Sequence, residues 1–171
     1  YTNIKAQKYT LQRITKLTGS HQNLHPAYGL HPYWTKEHLK SDINALERYL
    51  ASSAAVAIGE CGLDFRAQQA DRDLQLYFFE AQLEIAKSRQ LPVIIHSVNA
   101  TEIIIRTIKK ITGVRGMIHS YSGSFEQAKQ LIELGFFISI SGSVTYDNAK
   151  KIRSVASAIP LSSMLIETDA P

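Results

Sequence analysis

Pro92-Val93-Ile94-Ile95-His96 is an apolar run that ends on a side chain able to bind metal. The same plan recurs at Leu30-His31, Ile58-Gly59-Glu60, Met117-Ile118-His119 and Ile166-Glu167-Thr168-Asp169. In each, a β-type segment closes and a His, Glu or Asp stands at its C-terminal end. Helical periodicity fills the intervals: Leu39, Ile43, Leu46 and Leu50; Leu76, Phe79, Leu83 and Ala86; Ile104, Ile108 and Ile111; Ile152, Val155 and Ile159. Strand, ligand and helix in repeating order are the layout of a (β/α) barrel, whose active site gathers at the strand C-termini. One such His is ordinary core chemistry. Two His and two carboxylates converging on one rim point to a metal site.

The reading places strands over 27–31, 54–60, 92–96, 116–119, 136–140 and 163–167, with an opening helix through Leu11, Ile14 and Leu17. Ser124 with Gln127 three residues later predicts a capping box, and Gly135 a helix stop. The strands are continuous apolar runs, which predicts a parallel sheet buried on both faces. The fold class is therefore α/β, a TIM (β/α) barrel. A complete barrel takes about 250 residues. Six of its eight β/α units are expected in these 171 residues, which read as one domain without a linker.

Composition agrees with a soluble globular protein: 44% hydrophobic and 20% charged residues. The one cysteine, Cys61, allows no intrachain disulfide and fits a reducing, cytoplasmic setting. No apolar stretch is long enough to span a bilayer, so no membrane partner is expected. The net charge of +4 tolerates a polyanionic substrate. No P-loop, Gly-x-Ser-x-Gly elbow or paired Cys-x-x-Cys occurs, which argues against the nucleotide-cradling, serine-hydrolase and zinc-ribbon chemistries those motifs carry.

Glu60, flanked by Gly59 and Gly62, is a candidate ligand whose two oxygens can bridge two ions; the bland reading is a turn carboxylate. His96 and His119 form a candidate imidazole pair. Asp169 could bind metal and accept a proton from a bound water, or cap a following helix. Asp64 could orient a ligand or cap the next segment, and Glu167 could partner a ligand or salt-bridge within the core. His31 could touch a substrate phosphate or shape its loop. Tyr33 and Trp34 could stack on bases or cover the barrel end. His21, His25 and His38 have no ligand context, and Cys61 reads as a small buried residue.

The segments Gly29-Leu30-His31-Pro32, Ile58 to Asp64, Leu91 to Ser97, Ile118 to Gly123 and Leu165 to Pro171 resemble, in order and spacing, the TatD family of metal-dependent hydrolases and DNases. Gly-Glu-x-Gly-Leu-Asp and Glu-Thr-Asp-Ala-Pro are specific as a pair. The resemblance implies a phosphodiesterase with a divalent-metal centre of two ions (Mg, Mn or Zn). It also implies 3′-to-5′ exonuclease activity on DNA that is single-stranded or carries 3′ ends. Position by position, Glu60, His96, His119 and Asp169 match the family's metal ligands, with Asp169 also the proton acceptor and Glu60 and Asp169 the catalytic pair. There are departures. The family's opening His-x-His strand and its tail beyond Ala-Pro are expected to be lacking, and Val98-Asn99 stand where an Arg and an acid are usual. Tyr121 replaces a Phe. An amidohydrolase-like esterase or amidase, or a non-catalytic truncated homologue, are the alternatives. No stable protein partner is expected.

Overall fold

The computed structural model describes residues 15, 16, 18–21, 23–66 and 71–168. Leu11, Ile14 and Leu17 of the expected opening helix lie outside the described residues, as does Asp169. Six parallel strands form one sheet in sequence order: β1 (Ala27–Tyr28), β2 (Ala57–Asp64), β3 (Val93–Val98), β4 (Gly116–Ile118), β5 (Phe136–Ile140) and β6 (Met164–Ile166). Helices α1 (Ser41–Ser52), α2 (Arg72–Arg89), α3 (Thr101–Lys110), α4 (Phe125–Glu133) and α5 (Lys150–Ala158) make the crossovers. Neighbours in sequence are neighbours in space, every pair parallel, which is the partial (β/α) barrel expected.

Local chemistry explains the helix ends. Asp71 caps α2 by accepting from the N–H groups of Asp73 and Leu74, and Gln90 ends it in a left-handed conformation. The capping box of α4 is complete: Ser124 Oγ accepts the Gln127 N–H, and Gln127 Oε1 accepts the Ser124 N–H. Gly135 follows with φ of 84° and closes that helix. One buried cluster joins Ile58, Leu63, Ile95, Ile118 and Ile138 of the sheet to Phe79, Leu83, Ile104 and Leu131 of the helices. Removing one such side chain to alanine costs about 2–5 kcal/mol. Among the described residues, no helix is long and apolar enough to cross a membrane.

Four expectations are corrected. The strand expected to end at Glu60 runs on to Asp64, so Glu60 sits in mid-strand. Pairing with β3 shifts between Ile58 and Cys61, and this irregularity is what lets the strand continue past the glutamate. The strand expected over 27–31 is only Ala27–Tyr28, because Pro32 opens a 3-10 turn (Pro32–Glu37) capped by His31. Burial on both faces fails at β6, where Ile166 is 91% exposed: among the described residues β6 is one of the sheet's two edge strands. Leu39, assigned to the first helical face, precedes α1 and is exposed.

Two buried glutamines of α2 fix the strand ends. Gln82 accepts from the Leu30 N–H at 2.6 Å and donates to the Leu30 carbonyl at 3.1 Å. Gln75 treats Asp64 the same way, at 2.7 and 2.8 Å. Each satisfies backbone groups that leave the sheet at that point. Seven residues apart, they lie on one helical face, and together they clamp the chain just before His31 and at Asp64.

Candidate metal centre

Three histidines from three segments surround Glu60. Its Oε1 lies 3.5 Å from His96 Nδ1 and 3.4 Å from His119 Nε2, and its Oε2 lies 3.6 Å from His31 Nε2. The approach of β3 to β2 depends on glycine. Gly62 pairs with His96, and a Cβ at Gly62 would stand 2.1 Å from the His96 carbonyl oxygen at a φ of 133° that side chains rarely adopt. A Cβ at Gly59 would likewise stand 2.7 Å from the Ile94 carbonyl oxygen, so both glycines serve close strand contact. Cys61, wholly buried between them, has its thiol pushed up by burial and by the Glu60 charge, so it stays protonated.

Two carboxylates set the imidazole tautomers. Asp64 Oδ2 lies 3.2 Å from His96 Nε2, and Glu167 Oε2 lies 2.6 Å from His119 Nδ1. In the tautomer in which each ring donates its N–H to that carboxylate, the other ring nitrogen turns its lone pair toward Glu60 Oε1. That oxygen is buried and accepts no hydrogen bond among the described residues. Two nitrogen lone pairs and a carboxylate oxygen, with no proton between them, repel unless a cation stands among them. The donor set, nitrogen and oxygen, suits a divalent metal. His31, Glu60 and His96 each offer a ligand-type atom within 4.8 Å of one another. His31 Nδ1, however, accepts the Tyr33 N–H at 3.1 Å. While that bond holds, the neutral ring carries its proton on Nε2 and is a donor toward Glu60.

The charges are consistent with this arrangement. Burial raises the Glu60 carboxyl, but the three surrounding imidazoles, His96 first, outweigh it, so it lies below the usual range. Burial and the neighbouring His96 lower His31 to about 4, which keeps it neutral near pH 7. Burial also raises Asp64 and Glu167. The Arg66 guanidinium outweighs it for Asp64, and the His119 contact with the Ser120 N–H, accepted at 2.6 Å, outweighs it for Glu167.

Of the residues singled out from sequence, His31, Glu60, Asp64, His96, His119 and Glu167 meet at one rim. Tyr33 and Trp34 stand beside it, rings edge-on with centroids 4.9 Å apart, Tyr33 exposed and Trp34 half-buried. His21 and His25 are exposed. His38 is buried with Nε2 3.1 Å from the His31 carbonyl. Sequence reasoning passed over Arg66, whose Nε and Nη2 donate to Asp64. It also passed over the hydroxyl chain of Ser120, Ser141 and Ser143, linked at 2.8 Å and 2.8 Å. The alternation of Asp64 and Arg66 past a strand end was the available signal for the first; the serines gave none.

The family model described as TatD related DNase matches residues 1–171. The chain is 36% identical over 162 residues to YjjV of Escherichia coli K12, and 34% identical over 164 residues to YabD of Bacillus subtilis 168. Both are described as uncharacterized metal-dependent hydrolases. The matches take in 93% and 95% of this chain but 62% and 64% of those proteins, so the chain spans under two thirds of their length. The crystal structure of YjjV, a TatD homologue, superposes with a TM-score of 0.88 at 34% identity, over 94% of this chain and 63% of that one. A TatD family hydrolase of Entamoeba histolytica superposes with a TM-score of 0.81 at 25% identity, over 94% and 56%.

Proposed function

This chain belongs to the TatD related DNase family, and from that premise we propose that the intact protein is a metal-dependent phosphodiesterase that shortens DNA from 3′ ends. The observation that carries the reading is the convergence of His96 Nδ1 and His119 Nε2 on Glu60 Oε1. Glu60, His96 and His119, with Asp169 on the family resemblance, are the proposed ligands. When bound by these residues, a divalent ion would supply a lowered water pKa and an offset to phosphoryl charge. Asp64 and Glu167 hold the two imidazoles in the binding tautomer. His31 presents its Nε2 proton beside Glu60, where it can donate to a phosphoryl oxygen. Asp169 takes the proton of the attacking water. Tyr33 and Trp34 offer ring faces for unpaired bases. A cytoplasmic setting with DNA as the partner completes the reading.

The test is digestion of a 5′-labelled single-stranded oligonucleotide by the full-length protein. Treatment with EDTA followed by Mg, Mn or Zn should abolish and then restore a ladder that shortens from the 3′ end. Cleavage that survives chelation, or none with any of the three metals, overturns the proposal. Hydrolysis of small carboxyl esters in preference to DNA would favour an amidohydrolase-like activity instead.

A further inference from the structure

Beside His96 and His119 opens a cleft of about 340 Å³, within the range of roughly 300–1,000 Å³ usual for ligand pockets. His96 and His119 themselves form part of its lining, and the rest carries groups that the proposed hydrolysis does not use. One wall carries Arg66. The other carries Ser120, Ser122 and Ser143. No carboxylate lines it among the described residues.

Arg66 is unusually well placed for a half-exposed arginine. Its Nε and Nη2 are committed to the buried Asp64, and its guanidinium carbon lies 5.7 Å from the centre of the Tyr33 ring. Held from one side by a buried carboxylate and against an aromatic face, the group loses little further freedom on meeting a ligand. Nη1 takes part in none of the hydrogen bonds found among the described residues. Across the cleft, Ser143 Oγ ends the hydroxyl chain that runs through Ser141 to Ser120. Hydroxyls in such a chain turn in concert, each donating to the next, so that the terminal one is left with its proton for an anion. A fixed guanidinium facing hydroxyls, with no acidic lining, selects an oxyanion of phosphate type.

We infer that this cleft seats a non-scissile phosphate of a bound nucleic-acid strand, with Arg66 as the residue that sets its position. The inference rests on the phosphodiesterase reading and adds to it a contact with the strand beyond the residues proposed to hold the metal. Tyr33, packed on the same guanidinium, puts a ring face next to that phosphate, so a single nucleotide unit meets both. Asp64 touches both Arg66 and His96, which ties the seat to the candidate metal centre through one buried carboxylate.

The experiment is equilibrium binding of a fluorescein-labelled six-nucleotide single strand to the full-length protein, read by anisotropy in EDTA across a salt series. Arg66→Gln should weaken binding about ten-fold and lower the salt slope by about one. Since Arg66→Gln also leaves Asp64 without its partner, Ser143→Asp is measured beside it. That variant places a carboxylate in the opposite wall, leaves the Arg66–Asp64 pair intact, and should weaken binding similarly. Arg115→Gln, on the far side of the sheet, should bind as the wild type does. Unchanged affinity in Arg66→Gln or Ser143→Asp overturns the inference, as does an equal loss in Arg115→Gln, which would show only diffuse electrostatics. Binding in EDTA is independent of turnover. A protein that binds through Arg66 but cleaves no strand with any metal loses the hydrolytic reading and keeps the phosphate seat.

Discussion

The six strands have two ends, and the ends differ in chemistry. At the C-terminal end Glu60, Asp64, His96, His119 and Glu167 stand within hydrogen-bond or ion-pair reach of one another, held by backbone clamps from Gln75 and Gln82. At the N-terminal end the same strands line an apolar cleft of about 360 Å³ with Val56, Pro92, Val93, Met117, Phe137 and Leu165. A β-strand can carry both, because apolar runs enter the sheet and ligands wait until its exit. The difference teaches that stability and chemistry are separated along each strand, so substitutions at the two ends should move different observables.

The strongest test of that separation is Glu60→Gln. The amide keeps the volume but removes the charge that three histidines surround. Loss of about 4 kcal/mol of transition-state stabilisation lowers kcat by roughly a thousand-fold. The melting temperature of the metal-free protein should fall only modestly: the lowered Glu60 pKa means the fold favours the charge, while one of its buried oxygens accepts no hydrogen bond. A thousand-fold loss of rate together with collapse of the fold would break the comparison. Gly62→Ala should do the opposite. Its Cβ meets the His96 carbonyl in a disfavoured backbone conformation, and overpacking with strain should cost roughly 3 kcal/mol, read by denaturant unfolding.

Glu167→Gln sharpens the comparison at a smaller scale. The side chain touches His119 and the Ser120 N–H. An amide in its place can still accept one hydrogen bond but no longer holds the Nδ1 proton by charge. Metal affinity, measured by titration calorimetry, should fall about 10–100-fold. The kcat at saturating metal should change much less. A residue serving only to pack β6 would leave the metal titration unmoved.

The sequence made much of this legible, for physical reasons. Strand runs such as 92–96 and 136–140 are short, apolar and sharply bounded, so pattern alone located them. His119 and Glu167 follow their strands at the expected ends, whereas β3 runs two residues past His96 to Val98. Glu60 was misplaced within its strand, because an irregular pairing between β2 and β3 leaves no mark in hydrophobic periodicity. His31 looked like a strand end and is instead a cap, since the Nδ1 contact with the Tyr33 N–H is decided by one dihedral rather than by composition. Gln75 and Gln82 stood on an apolar helical face at a spacing of seven, a readable signal that buried amides had backbone partners to satisfy. Arg66 was hidden because its value depends on what β4 and β5 place across the cleft, and that is a tertiary fact.

The smallest expected effect lies at the other end of the sheet. Met117 lines the apolar cleft in β4, two residues before His119. Met117→Leu conserves volume and polarity, and such exchanges cost less than about 1.5 kcal/mol. Because residues two apart on a strand share a face, any communication along β4 would be carried by this position first. The separation of the two ends predicts that kcat and metal affinity stay at wild-type values while thermal stability shifts by a few degrees at most. A measurable drop in metal affinity would show instead that β4 transmits packing changes to His119. Stability and chemistry would then be coupled through the strand rather than divided along it.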